Sequence, residues 1–299
     1  MKPKRDLLRL TDLTAKEIER LFNRTATLKK ERQRRRFNHV LKGRTLAMLF
    51  EKASTRTRVS FEIAMRELGG DAVFLEGSST QIGRGETYAD TAMVLSRYAH
   101  GIMIRTYGHT NAEELALHAT IPVINGLTDL YHPCQILADL FTIRECKKKV
   151  RKICYIGDGN NMANTWMEAS ALLGVPLTIA TPPGFAPPDE ILKKDLTRSI
   201  VMTQDPVEAV RDADVVNTDT WFSMGQEETE AKRKAFGPYQ VNRELLKEAR
   251  PDAIVLHCLP AHRGQEITDE VMDGPQARIW QQAENRLHVQ KAILEMLMK

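Results

Sequence analysis

Five polar and basic residues, Ser54-Thr55-Arg56-Thr57-Arg58, follow an apolar run at Leu46–Phe50 and open a helical pattern. That order places a buried strand before a helix N-terminus, with Ser54 in the N-cap position. The first backbone N–H groups of such a helix lack intrahelical partners and carry the positive end of its dipole. A phosphate there would accept those N–H groups and the hydroxyls of Ser54, Thr55 and Thr57. Arg56 would add a guanidinium fork matched to phosphate oxygens. A capped helix whose arginines face water would read the same way, so this turn alone says only that an anion can sit there.

The elements that must position this turn follow from periodicity. Short apolar runs alternate with amphipathic segments along nearly all of the 299 residues, the pattern of an α/β protein with parallel sheets. Expected strands in the first half are Thr45–Phe50, Ala72–Leu75, Ile102–Arg105 and Pro122–Asn125. Helices are expected at Thr14–Arg32, Thr55–Leu68, Thr87–Ala99, Asn111–His118 and Pro133–Lys147, with Gly69-Gly70 closing the second of them. Strands in the second half are expected at Lys152–Ile156, Leu177–Ala180, Ile200–Met202, Val215–Asn217 and Ile254–His257. The reading is two domains, each a parallel β-sheet flanked by helices, spanning 1–147 and 148–283. The basic stretch Lys147–Lys152 serves as the hinge, and a last helix, 284–299, packs back on the first domain.

Composition narrows the partners. Hydrophobic residues make up 42% and charged residues 27%, as in a folded globular chain. The net charge of +4 suits an anionic small molecule and is too small to argue for nucleic acid. Arg32, Arg34, Arg35 and Arg36 end a helix, where cations complement the dipole, and no aromatic residues interleave with them as a base-stacking platform requires. No apolar stretch approaches the ~20 residues of a membrane span, and no secretory signal is expected at Met1–Asp6, which has no apolar core and no small-residue cleavage site. Cys134, Cys146, Cys154 and Cys258 form no C-x-x-C pair, so reduced thiols in a cytoplasm are expected. No cofactor or metal is expected either: His257 and His262 would need further ligands.

Several motifs occur in order. Phe50-Glu51-Lys52-x-Ser54-Thr55-Arg56-Thr57-Arg58 is followed by His132-Pro133-Cys134-Gln135, by Asp219-x-x-x-Ser223-Met224-Gly225, and by His257-Cys258-Leu259-Pro260. Together they resemble the signatures of the aspartate and ornithine carbamoyltransferases, and the resemblance runs from about Thr45 to Arg286. It implies a first domain that binds carbamoyl phosphate and a second that binds an amino acid, in a homotrimer with active sites at subunit boundaries. The substrates implied are carbamoyl phosphate and L-ornithine, giving L-citrulline and phosphate in arginine biosynthesis.

Site residues follow from that resemblance. Carbamoyl phosphate contacts fall on Ser54, Thr55, Arg56, Thr57, Gln81, Arg105, His132 and Gln135, with Cys258, Leu259 and Arg286 from late in the chain. Arg105 and His132 would donate toward the carbonyl oxygen as it gains charge, and Gln135 would accept from the carbamoyl NH2. Ornithine contacts fall on Asn164, Asp219, Ser223 and Met224, with Asp219 supplying the charge that an α-ammonium wants. Asn164 follows the turn Gly157-Asp158-Gly159-Asn160-Asn161, which suits a carboxylate at a helix N-terminus. Arg105, His132 and Cys258 form the catalytic set, although Cys258 has no visible triad partner and direct amine attack needs no acyl-enzyme.

Each of these has a plainer reading. Arg105 could be a strand-end ion pair, His132 a structural loop histidine, Lys52 a solvent-facing lysine, and Ser223–Gly225 a surface turn. Aspartate as acceptor is disfavoured because two carboxylates would call for basic residues where Asp219 and neutral groups stand. Putrescine is argued against by the Ser-Met-Gly loop. A dinucleotide-binding turn at Ile153–Gly159 fails at the third glycine, whose place Met162 takes.

Overall fold

The run Thr45–Phe50 forms strand β1 in the computed structural model, which describes residues 4–192, 199–223, 225 and 227–299. Helix α1 (Ala15–Gln33) precedes it, opened by a reciprocal capping box between Thr14 and Glu17. Helix α2 (Thr55–Glu67) leads to β2 (Asp71–Glu76), and α3 (Tyr88–Tyr98) leads to β3 (Gly101–Arg105). Helix α4 (His109–His118) then leads to β4 (Val123–Leu127) and α5 (Pro133–Cys146). These strands form a parallel sheet in the order β2-β1-β3-β4. Leu49, Ile102, Ile104 and Val123 pack with Ala92, Ala112 and Leu115 of α3 and α4. Residues of the opposite parity, Leu46 and Met48, are equally buried, so both faces of the sheet are covered.

The second half gives β5 (Ile153–Ile156), α6 (Asn161–Leu173), β6 (Leu177–Ala180), α7 (Asp189–Leu192), β7 (Ile200–Thr203), α8 (Pro206–Val210) and β8 (Val215–Thr218). It continues through α9 (Glu230–Phe236), α10 (Arg243–Leu246), β9 (Ile254–His257), α11 (Asp269–Met272) and α12 (Ile279–Met298). The sheet is again parallel, in the order β7-β6-β5-β8-β9. Cys154, Ile156, Val216 and Val255 pack against Ala209, Val210, Leu245, Leu246, Val271 and Met272 from α8, α10 and α11.

The expected fold class holds: two parallel sheets, each flanked by helices, in two compact units. One unit comprises 1–137 with 285–299, the other 138–284, so the division falls within α5 and within α12. The last helix starts at Ile279, five residues before its expected start at 284. Ile279 is fully buried in the second unit's core, an anchor that the periodicity from Leu287 onward does not include. In the first unit, Lys291 and Arg32 both reach Glu67, at 2.8 and 2.7 Å. Among the described residues no helix is long and apolar enough to cross a membrane.

Candidate functional site

In the first unit, β1 delivers Ser54 to the N-cap of α2 in extended conformation, and its Oγ accepts the Thr57 N–H at 3.2 Å. Glu51 anchors this turn. Its backbone N–H donates to the Arg105 carbonyl at 2.8 Å, and its carboxylate accepts from Tyr88 and Thr106. Asn111 closes the network by donating to Tyr88 at 2.9 Å and Thr106 at 3.1 Å. Lys52 is buried, pairs with Asp129 and lies over the Tyr107 ring, so it does not face solvent. Arg56 is half-buried and makes no hydrogen bond or ion pair among the described residues.

Arg105 ends β3 at a register shift against β4 and is buried. His132 and Gln135 sit at the start of α5, whose first residue is Pro133, a position where the missing N–H costs nothing. Arg286 of α12 ties the set together: it donates to Thr57 Oγ1 at 2.8 Å and to Gln135 Oε1 at 3.0 Å. Burial, then the charges of Arg286 and Arg105, hold the His132 imidazole well below the usual histidine range. His132 is therefore neutral near pH 7. The structure thus gathers Ser54, Thr57, Gln135 and Arg286 by direct contact and brings the His132 ring within the field of the Arg105 and Arg286 charges. Gln81 stands apart, exposed on the loop before α3, and no hydrogen bond joins it to that group.

In the second unit, Asn160 caps α6 through Oδ1, which accepts the Met162 N–H at 2.9 Å. Its amide donates to Asp219 Oδ2 at 3.0 Å, while the Cys258 thiol donates to Asp219 Oδ1 at 2.6 Å. Asp219 is buried, so its charge is held by two neutral donors with lone pairs to spare. Asn164 follows on the buried first turn of α6, its N–H bonded to the Asn160 carbonyl. Nearby, burial and the Asp219 and Asp158 charges keep the Tyr155 phenol protonated, far above the usual range. Gly159 has no room for a side chain, since a Cβ there would lie 2.3 Å from the backbone of Ala186 and Pro187.

The strand end after β9 is fixed by a chain that begins at Leu259. Its N–H donates to His257 Nδ1 at 2.9 Å, so the ring proton lies on Nε2, which donates to Glu266 Oε1 at 2.9 Å. Glu266 also accepts the His262 N–H, and His262 Nδ1 lies 3.1 Å from Thr220 Oγ1, next to Asp219. Leu259 occupies the left-handed region at φ +61°, and the Leu259–Pro260 bond is cis. Asp219, His257 and Cys258 bring ligand atoms within 4.8 Å of one another, but both His257 nitrogens already serve this chain. Ser223 lies on the loop after Asp219, and Met224 lies outside the described residues.

Sequence reasoning missed Glu51, Asn160 and Glu266. Asn160 had a signal, an N-capping residue before a helix; Glu51 stood inside the Phe50–Arg58 motif but its partners Tyr88 and Thr106 lie far along the chain, and Glu266 left no signal. For Cys258 the sequence showed no triad partner and the resemblance set Asp219 near it; the thiol donates to that carboxylate.

The matching family models are the aspartate/ornithine carbamoyltransferase carbamoyl-P binding domain, over residues 5–145, and the Asp/Orn binding domain of the same family, over 149–297. A curated ornithine carbamoyltransferase from Syntrophus aciditrophicus is 56% identical over 98% of this chain and 99% of its own length. An anabolic ornithine carbamoyltransferase from Pyrococcus furiosus is 51% identical over 98% of this chain and 96% of its own. The solved ornithine carbamoyltransferase structure from Pyrococcus furiosus superposes with a TM-score of 0.93 at 50% identity, covering 98% and 97% of the two chains.

Proposed function

Because the chain belongs to the aspartate/ornithine carbamoyltransferase family, a family of transferases, we propose that it moves the carbamoyl group of carbamoyl phosphate onto the δ-amine of L-ornithine. The products are L-citrulline and phosphate. The observation that carries the choice of acceptor is Asp219, a buried carboxylate held by Asn160 and Cys258. Such a group welcomes an α-ammonium and repels a dicarboxylic acceptor.

On this reading the donor lies on the first unit. The free N–H groups at the start of α2 take the phosphate with Ser54, Thr55 and Thr57, and Arg56 and Arg105 neutralise it. Arg286 sets the Thr57 hydroxyl and the Gln135 amide in place. Gln135 accepts from the carbamoyl NH2, and Arg105 with neutral His132 donates to the carbonyl oxygen as the tetrahedral oxyanion forms. The C–N bond then forms from the amine lone pair, the C–O bond to phosphate breaks with its electron pair, and the proton lost by the amine leaves on the phosphate, so no acyl-enzyme arises. Cys258 lines the acceptor side as a thiol donor to Asp219, with Leu259 offering its backbone carbonyl, and Asn164 and Ser223 complete the contacts to ornithine together with Met224.

A homotrimer belongs to this reading, with active sites at subunit boundaries. Gln81, exposed on its own chain, is kept in this reading as a carbamoyl phosphate contact. The role is arginine biosynthesis in the cytoplasm, without cofactor or metal. The test is product analysis: purified protein with carbamoyl phosphate and ornithine should yield citrulline and phosphate in equal amounts. Absence of citrulline would overturn the proposal.

A further inference from the structure

We propose that Lys232 is a positioning residue for the acceptor, a caged cation that locks the loop carrying Asp219 and Ser223 onto the turn Gly157–Asn160. The inference rests on the reading of Asp219 as the acceptor's ammonium partner.

Three segments meet at this lysine. Its Nζ lies 2.7 Å from Asp158 Oδ2, and both side chains are 11% exposed. The same ammonium lies 5.3, 5.5 and 5.4 Å from the ring centroids of Phe185, Phe222 and Phe236. Phe185 and Phe236 pack edge to face at 4.9 Å, and Trp221 lies 5.9 Å from Phe236. Phe222 immediately precedes Ser223. Phe185 accepts the Gly159 N–H through its carbonyl at 2.8 Å. Asp158 stands two residues before Asn160, the donor to Asp219. One cation therefore holds the turn, the loop around Phe185 and the loop after Asp219 by charge and by ring faces.

The charge itself matters. Burial pushes the Asp158 carboxyl up, the Lys232 hydrogen bond and charge pull it back, and the Asp219 charge adds to the rise. Without Lys232, two carboxylates share the Asn160 neighbourhood with no cation for Asp158. The acceptor's ammonium would then meet an altered field and a loosened loop. Ser54, Thr57, Arg105, His132 and Gln135, read as the donor's contacts, lie on the other unit.

Lys232→Met keeps the apolar stem among the rings and removes the charge. The expected result is a rise of about tenfold or more in KM for ornithine, with KM for carbamoyl phosphate held within about twofold. Lys232→Arg should bring the ornithine KM back to within about threefold of the parent, because a guanidinium also meets both rings and carboxylate. An ornithine KM in Lys232→Met within about twofold of the parent would overturn the inference. Should that variant not fold, Asp158→Asn is measured instead and should raise the ornithine KM by at least about threefold; an unchanged value overturns the inference. Loss of folding in both variants would assign the cage to stability and overturn it too. If the parent protein itself forms no citrulline, the function proposed above has failed instead.

Discussion

Arg56→Ala removes a guanidinium with no hydrogen-bond or ion-pair partner among the described residues, so its loss should fall on ligand affinity and spare stability. Binding of carbamoyl phosphate should weaken by about 1.5–3 kcal/mol, the range of charged hydrogen bonds. Calorimetric titration with unchanged affinity would remove Arg56 from the donor site. Asp219→Asn should do the reverse: carbamoyl phosphate affinity is kept and ornithine use is impaired. His132 makes a different kind of claim. Its folded pKa lies well below the usual 6.5, so the native state binds fewer protons than the unfolded chain as pH falls through that value. The group therefore costs stability only below about pH 6.5 and stays a neutral donor across the physiological range. In an NMR titration of the histidine ring protons, His132 should show no transition between about pH 8 and 6, whereas a midpoint near the ordinary value would contradict the neutral-donor role.

At the scale of elements, long periodic segments were legible and short ones were not. Strands β1, β6 and β9 match their expected spans residue for residue, because each is an apolar run bounded by polar turns. Helices α7, α8, α10 and α11 are four or five residues long, too short to show a 3.6-residue period, and no such pattern marked them. The same limit applies to the supports of the site. Arg286 reaches Thr57 across 229 positions, and Glu51 reaches Thr106 across 55, so only the fold makes these pairs visible. The motifs themselves were legible because each sits at one strand end, where sequence neighbours are also spatial neighbours.

The pairing of α12 with α1 and α2 supports an element-scale prediction. Burial raises the Glu67 carboxyl, but hydrogen bonds and charges from Arg32 and Lys291 outweigh it and leave the group below its usual value. A carboxylate with a lowered folded pKa stabilises the fold above its unfolded pKa and loses that contribution as pH falls through the folded one. Glu67→Ala strands the buried Lys291 ammonium, and unfolding in urea at pH 7 should show a loss of about 3 kcal/mol or more. The difference between variant and parent should shrink as the pH is lowered through the carboxylate range. A loss under about 1 kcal/mol at pH 7 would show the pair to be no stronger than a surface ion pair.

For the whole molecule, the proposed chemistry is divided between two parallel sheets. On the proposed reading one presents a helix N-terminus, arginines and a neutral histidine to an acyl phosphate, and the other presents a buried carboxylate to an amino acid's ammonium. The opening motif, Ser54–Arg58, is by itself only an anion site. The choice of ornithine rests on Asp219 and its two donors, which makes acceptor preference the most direct test of the central claim. Steady-state rates with saturating carbamoyl phosphate and varied ornithine, putrescine or aspartate should give a kcat/KM for ornithine at least about a hundredfold above either rival, as expected of a site whose buried polar groups would be left unpaired by the wrong acceptor. A rate with putrescine or aspartate equal to that with ornithine would contradict it.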